Sequence, residues 1–393
     1  MKTLEQLDLK DQRVLMRVDF NVPLDDGVVD DNFRIRAALP SVRYCLEHGA
    51  ALILISHLGR PGGKTVPELS LLPVAEELET LLKQDILFSQ DCISDQAVQV
   101  SQSLQPGAVH LLENLRFHPQ EEANEAGFSA RLAQHGTLYV NEAFGTAHRA
   151  HASNLGVVSH FDQPGIGFLM ARELEFLRSR LERPQRPFAV VLGGAKVAGK
   201  LELVRALVPK ADRLVIGGGL AFTFLRAQGK NVGGSLVDQN LIAEAAEILA
   251  RARAGGVELF LPSDVVAADE VSAAANWALM TLDQLGPGDI GVDIGPETCA
   301  LFAQALEGVR TVFWNGPMGV FELPAFRTGT EMIIGAIADA TLAGAVSVVG
   351  GGDSVAAIQA LDEPKHFTHV STGGGAALAL LSGAALPALE VLS

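Results

Sequence analysis

Val190-Val-Leu-Gly-Gly-Ala-Lys196 decides the fold: an apolar run, a double glycine and then a lysine. The same ending recurs at Val215-Ile-Gly-Gly-Gly219, Val348-Val-Gly-Gly-Gly-Asp353 and Val370-Ser-Thr-Gly-Gly-Gly375. Short apolar runs followed by helical periods argue for parallel βα units. In the first half the runs end differently, in charged and polar residues. Examples are Val14-Leu-Met-Arg-Val-Asp-Phe-Asn21, Ile53-Leu-Ile-Ser-His-Leu-Gly-Arg60 and Leu111-Leu-Glu-Asn-Leu-Arg116. Ligands of open α/β sheets sit beyond the carboxyl ends of the strands. Arginine and histidine there suit a small anion. Glycine there admits phosphates to backbone N–H groups and helix N-termini. One chain therefore offers two sites of different chemistry.

The length of 393 residues exceeds a single core, so two domains are expected. Hydrophobic content of 48% against 19% charged residues fits an ordinary soluble α/β protein. A net charge of −16 argues against a nucleic-acid binder, which normally carries a basic face. Cys45, Cys92 and Cys299 are scattered, without zinc spacing or a disulfide framework, as in a reducing cytoplasm. The N-terminus lacks the apolar core of a signal peptide. The apolar tail 376–392, broken by Ser382, Gly383, Pro387 and Glu390, reads as a buried helix and not as a membrane span. Helices are expected over 36–48, 73–84, 238–254 and 354–361. A charged helix over 172–182, stopped by Pro184 and Pro187, suits a link between domains.

The segment from Gly194 to Lys200 nearly spells a phosphate-binding P-loop, but Leu201 stands where Ser or Thr should reach Mg²⁺. What survives is a glycine turn with Lys196 and Lys200 one helical turn apart, a phosphate clamp or two solvated lysines. In Gly350-Gly-Gly-Asp-Ser354, the aspartate could cap a helix or ligate Mg²⁺. Gly217 and its two successors could be packing glycines. In the first half, Asp19, Asn21, Arg34, His57, Arg60, Arg116, His148, Arg149 and His151 fall at strand ends or in the next loops. Arginines so placed make an anion pocket, unless each pairs with a surface acid. A metal set of His57, His148 and His151 lacks a Glu or Cys at a matching interval. No Gly-x-Gly-x-x-Gly opens a helix, which excludes the usual dinucleotide fingerprint.

Seven segments together carry a resemblance. Arg17-Val-Asp-Phe-Asn-Val-Pro23, Ser56-His-Leu-Gly-Arg-Pro61, Glu113-Asn-Leu-Arg-Phe117 and Gly145-Thr-Ala-His-Arg-Ala-His151 lie in the first half. Leu192-Gly-Gly-Ala-Lys-Val197, Trp314-Asn-Gly-Pro317 and His369-Val-Ser-Thr-Gly-Gly-Gly375 lie in the second. In this order, over essentially the whole chain, they resemble the phosphoglycerate kinase family in its bacterial form.

The resemblance implies two doubly wound parallel-sheet domains joined by a hinge helix. Residues 1–168, with a tail of about 378–393 packing back, would bind 3-phosphoglycerate. Residues 169–185 would form the hinge and 186–377 the nucleotide domain. It further implies transfer of a phosphoryl group between ATP and the carboxylate of 3-phosphoglycerate, in line and on domain closure, by a cytoplasmic monomer without nucleic-acid or membrane partners. Asp19, Asn21, Arg34, His57, Leu58, Gly59, Arg60, Arg116 and Arg149 would hold the acid. Gly194, Lys196, Lys200, Gly217, Gly218, Leu236, Gly291, Asn315, Glu322, Gly351, Gly352, Asp353 and Ser354 would hold Mg-ATP or Mg-ADP. Arg34, Lys196 and Lys200 would be catalytic, and Asp353 the Mg²⁺-side carboxylate. Gly199 departs from the family, many of whose members carry Asp there.

Overall fold

The computed structural model describes residues 1–195, 198–361 and 365–392. Contacts divide the chain into a unit of Met1–Glu175 with Ala385–Ser393, and a unit of Phe176–Ala384. The division falls inside one helical run, which begins as Phe168–Glu173 and continues in π-helical form over Leu174–Arg180.

The N-terminal unit is built on seven parallel strands: β1 (Lys2–Thr3), β2 (Arg13–Arg17), β5 (Ala51–Ile55), β6 (Ile86–Ser89), β7 (Val109–Leu112), β8 (Leu138–Asn141) and β9 (Gly165–Ile166). A hairpin of β3 (Leu24–Asp25) and β4 (Val28–Val29) stands apart from them. The sheet order is β1-β9-β8-β2-β5-β7-β6. Strands β2, β5, β7 and β8 are buried almost throughout, because helices cover both faces of a parallel sheet. Their side chains Val14, Met16, Leu52, Leu54, Val109, Leu111 and Val140 pack with Ile35, Val42, Val74 and Leu78 of two covering helices, Phe33–Glu47 and Leu72–Leu82. The chain moves outward from β2 to β5 and later returns to β8 on its other side. The sheet therefore switches direction at β2.

The C-terminal unit repeats this plan with six parallel strands. They are β10 (Phe188–Leu192), β11 (Arg213–Ile216), β12 (Glu258–Phe260), β16 (Thr311–Asn315), β17 (Val346–Gly350) and β18 (His369–Val370), in the order β12-β11-β10-β16-β17-β18. Here the switch lies between β10 and β16. Val191, Val215, Trp314 and Val349 meet Phe302, Ile333 and Ile337 in the core. The uniform parallel pattern expected of this half is incomplete. β13 (Asp264–Ala268), β14 (Trp277–Thr281) and β15 (Ile290–Ile294) form an antiparallel sheet with its own small cores. Short connections permit that pairing, whereas a parallel neighbour needs a long crossover.

The expected helices occur within a few residues of their predicted spans: Phe33–Glu47, Leu72–Leu82, Ile242–Ala254 and Gly352–Gln359. The tail is not one helix. Gly375–Leu381 ends near Gly383, at φ +83°, and Pro387–Glu390 starts anew on proline. Within the N-terminal unit, Ala388 N–H donates to the Ala147 carbonyl at 3.2 Å.

Candidate active site

In the N-terminal unit the strand ends are level at the switch: Arg17 pairs in register with both Ile55 and Asn141. Asp19 follows β2, and its Oδ2 accepts from Arg34 Nη1 at 2.7 Å. Its Oδ1 lies 3.9 Å from His57 Nδ1, too far for a hydrogen bond. Gly59 ties the next loops together. Its N–H donates to Asn21 Oδ1 at 2.8 Å, and its carbonyl accepts from Arg116 Nη1 at 2.7 Å. At φ +62°, with Leu69 where a Cβ would stand, this position requires glycine. Leu58 is buried, and its backbone N–H and carbonyl both bond the Asn114 side chain, at 3.2 and 2.7 Å. Arg60 is exposed at the end of that loop, and Arg149 is half-buried with Nε 3.4 Å from His148 Nε2.

Beneath these lies a group not singled out from the sequence. Arg17, fully buried, donates from Nε to Ser153 Oγ at 2.8 Å and from Nη1 to the Val18 carbonyl. Ser153 donates in turn to the buried Glu121 at 2.5 Å. Arg17 Nη2 reaches His57 Nδ1 at 3.2 Å. Arginine has only donors, so Nδ1 accepts and the His57 proton sits on Nε2. A buried strand-end arginine beside Val-Asp-Phe-Asn was the available signal.

Burial, reinforced by the crowding of positive charge, governs ionisation. Burial, then Arg17, Arg116, Arg149 and Arg34, holds His57 well below the usual imidazole range. His151 falls to about 3 through burial and then Arg116 and Arg17, and His148 falls through burial and then Arg149. These histidines are neutral near pH 7 and offer hydrogen bonds, not charge. Arg116 falls to about 10 through burial and then Arg149, so it stays protonated. Its Nη2 is buried without a hydrogen-bond partner, and its Nε sits 3.3 Å from Glu122 without bonding geometry. Among the described residues, His57, His148 and His151 do not assemble as a metal-ligand cluster.

In the C-terminal unit a cavity of about 330 Å³ opens beside the glycine turns. It brings together Gly194, Gly218, Leu236, Gly291, Glu322 and Asp353 of the predicted set. Gly218, at φ +60°, stands where a Cβ would strike the backbone of Gly194 and Pro317. A Cβ on Gly291 would enter the Phe222 ring, and one on Gly217 would strike Met318. Gly217 therefore packs under the wall and does not line it. Leu236 is exposed at the rim.

Lys200 is buried, with Nζ donating to the carbonyls of Gly193 and, at 3.4 Å, Asn315. Asn315 Nδ2 donates to the Gly350 carbonyl at 2.9 Å, joining the ends of β16 and β17. Ser354 is buried, and its hydroxyl accepts from Gly316 N–H at 2.6 Å. Gly351, at φ +95°, caps the helix Gly352–Gln359. The capping reading of Asp353 therefore gives way: it lies in the first turn, exposed and lining the cavity. Lys196 lies outside the described residues, and Lys200 lies in the first turn of the helix Ala198–Leu207.

Sequence reasoning missed the apolar walls Phe222, Pro262, Val265 and Met318, and the acid Asp293. Asp293 is buried and pushed up to about 7 by burial, although Gly329 N–H at 2.7 Å and Ile294 N–H at 2.9 Å donate to it.

An arginine-lined pocket and a glycine-walled cavity thus lie in the two units, one in each. The family model for phosphoglycerate kinase matches residues 4–384. A phosphoglycerate kinase of Prosthecochloris aestuarii is 49% identical over 393 residues, covering 100% of this chain and 99% of that one. One from Moorella thermoacetica is 50% identical over 391 residues, covering 100% and 98%. The solved phosphoglycerate kinase of Coxiella burnetii superposes with a TM-score of 0.87 at 38% identity, covering 99% of this chain and 97% of its own. That of Pyrococcus horikoshii gives 0.87 at 32% identity, covering 100% and 98%. Family model, relatives and fold agree along the whole length, and the chain belongs to the phosphoglycerate kinase family.

Proposed function

We propose that the arginine pocket and the glycine-walled cavity are the acid and nucleotide half-sites of one phosphoryl transfer. The chain is a kinase of glycolysis that moves a phosphoryl group reversibly between ATP and 3-phosphoglycerate, giving ADP and 1,3-bisphosphoglycerate. The observation that carries the assignment of the acid site is Arg116. A buried guanidinium nitrogen without a partner costs about 1–3 kcal/mol or more, and a phosphate oxygen would repay it.

Phosphoryl transfer asks for positioning and for charge stabilisation. The nucleophile is a carboxylate, ionised near neutral pH, so no general base is required. The neutral histidines then serve as binding groups, with His57 offering Nε2–H. Arg60, Arg116 and Arg149 would hold the remote phosphate. Arg34, half-exposed and anchored by Asp19, would bind the reacting carboxylate and the moving phosphoryl group. Lys200 would face them from the nucleotide side, exchanging the Gly193 and Asn315 carbonyls for phosphate oxygens, and Lys196 would assist. The N-terminus of the helix Gly352–Gln359 would add N–H donors. Each half-site alone is incomplete, so closure of the units would complete the site and exclude water from the acyl phosphate.

Asp353 has a carboxylate without a hydrogen bond or ion pair among the described residues. Such a hard, open oxygen donor beside the cavity suits Mg²⁺, which binds through one or two carboxylates plus phosphate oxygens. Mg²⁺ there would neutralise charge on the nucleotide phosphates. No helix among the described residues is long and apolar enough to cross a membrane. A cytoplasmic location is the accompanying reading, supported by three buried free cysteines, and a monomer is what the family resemblance implies.

A coupled assay for ADP formation from Mg-ATP, with and without 3-phosphoglycerate, tests the whole. Turnover that needs both the acid and Mg²⁺ is expected. Folded protein that binds ATP but shows no acid-dependent turnover would refute the assignment.

A further inference from the structure

Away from both half-sites, the loop between β6 and the helix Asp95–Gln102 carries Asp91 and Cys92. His118 arrives beside them from the segment after β7. One donor atom from each of Asp91, Cys92 and His118 lies within 4.8 Å of the other two, with Asp91 Oδ1 and His118 Nε2 3.4 Å apart. In a tetrahedral zinc site, usual bond lengths put donor atoms roughly 3.3–3.6 Å apart. The carboxylate–imidazole pair already has that spacing, and the sulfur lies within 4.8 Å of both partners. We infer that Asp91, Cys92 and His118 form a binding site for a zinc-class divalent cation, with a solvent molecule as fourth ligand.

The donor set argues the class. A thiolate and an imidazole favour zinc or cadmium over magnesium or calcium, which take oxygen ligands. Cys92 is wholly buried and is the inner wall, whereas Asp91 and His118 are part-exposed and give the ion its way in. The carboxylates of Asp91, Glu121 and Glu113 lie near enough to act electrostatically on the Cys92 position, and their negative charge attracts a cation. Binding exchanges the thiol proton for the metal: the S–H bond breaks, a sulfur–metal bond forms and one proton leaves to solvent.

The loop is also held from behind. His135 Nε2 contacts the Cys92 carbonyl at 3.0 Å, and His135 Nδ1 contacts Ser101 Oγ at 2.7 Å. Ser101 Oγ meets His110 Nδ1 at 2.8 Å, and His110 Nε2 meets Ser89 Oγ at 2.8 Å. A carbonyl only accepts, so His135 donates from Nε2 and accepts at Nδ1 from Ser101. His110 then donates from Nδ1 to Ser101 and accepts from Ser89. Every proton in the chain has a place with both rings neutral. Such backing fixes the loop before an ion arrives, as outer partners do in metal sites.

The test uses the full chain, reduced and stripped with a chelator, titrated with Cd²⁺ while the thiolate-to-cadmium charge-transfer absorbance is followed. One saturable ion per chain is expected, with the band lost in Cys92→Ser. Asp91→Asn and His118→Gln, at part-exposed positions that do not endanger folding, should each weaken Cd²⁺ binding at least about tenfold, the cost of disturbing even an outer partner. Co²⁺ should give an intense tetrahedral visible spectrum in the wild type and lose it in His118→Gln. Absence of the cadmium band would overturn the site. So would a band that persists in Cys92→Ser, which would place the ion on Cys45 or Cys299, or one that stays unweakened in both Asp91→Asn and His118→Gln, which would leave those two residues out of the site.

Discussion

The two half-sites use one architectural position and opposite materials. At the switch of the N-terminal sheet, long charged side chains converge, and the backbone mainly braces them through Gly59 and Asn114. At the switch of the C-terminal sheet, side chains have been removed. Gly194, Gly218 and Gly291 line the cavity at positions so tight that an added methyl would strike Lys200, backbone or the Phe222 ring. A pocket of guanidinium groups recognises charge and should tolerate little change of residue type. A cavity bounded by backbone recognises shape and should be intolerant of added volume.

Four experiments press on that contrast. The largest effect is expected from Arg34→Ala. Removing a donor that acts on developing charge costs about 10²–10³-fold in kcat. Nucleotide affinity, measured calorimetrically, should stay unchanged, and a variant that turns over normally would remove Arg34 from the chemistry.

Gly218→Ala should do the reverse. Its left-handed backbone and the collision with Gly194 and Pro317 cost about 1–3 kcal/mol, read as roughly ten- to a hundredfold weaker ATP binding. Affinity for 3-phosphoglycerate should be kept; a variant that binds both ligands normally would mean that the glycine wall does not shape the nucleotide site.

The third experiment is pH-dependent unfolding. His110 and His135 fall to about 4 through burial, against an ordinary value of 6.5. The unfolded chain takes up these protons first, so stability is whole above about 6.5 and is lost as pH falls toward 4, by up to a few kcal/mol. Asp293 in the other unit has the opposite sign. Raised to about 7 by burial, it contributes stability below about 3.8 that is lost as pH rises through 7. Asp293→Asn should flatten that second slope and leave the acid-side loss in place. An unchanged slope would mean that the carboxyl is ionised in the fold.

Gly199→Asp should have the smallest effect. Gly199 is exposed in the first turn of its helix, and a Cβ there meets nothing within 4 Å. Helix propensity and an acid at the N-terminus each add a few tenths to about 1 kcal/mol. Stability should rise slightly and ATP affinity change by less than about tenfold. A larger gain in affinity would show that the missing carboxylate matters to the nucleotide.

The contrast also explains what could be read without coordinates. Arginines at the ends of apolar runs announce themselves, and Arg34, His57 and Arg116 do meet around Asp19 and Gly59. The glycine clusters gave the other wall. Phe222 and Met318 were not legible, since an apolar residue in a cavity has the same pattern as one in the core. The antiparallel sheet β13–β15 was hidden for a similar reason: short apolar runs carry no mark of strand direction. The bond from Gly316 N–H to the Ser354 hydroxyl was not legible, since 38 residues separate the two. Asp91, Cys92 and His118 show no metal spacing for the same reason, since a fold and not an interval joins them.

The return of residues 385–392 to the N-terminal unit has a consequence for synthesis. The Ala388 N–H seated on Ala147 is two residues from Arg149 in the wall of the arginine pocket, yet it is made after all of the C-terminal unit. On the ribosome, then, the unit that starts first finishes last. A chain cut before this segment would contain every strand of both sheets, yet leave Ala147, two residues from Arg149, without that contact.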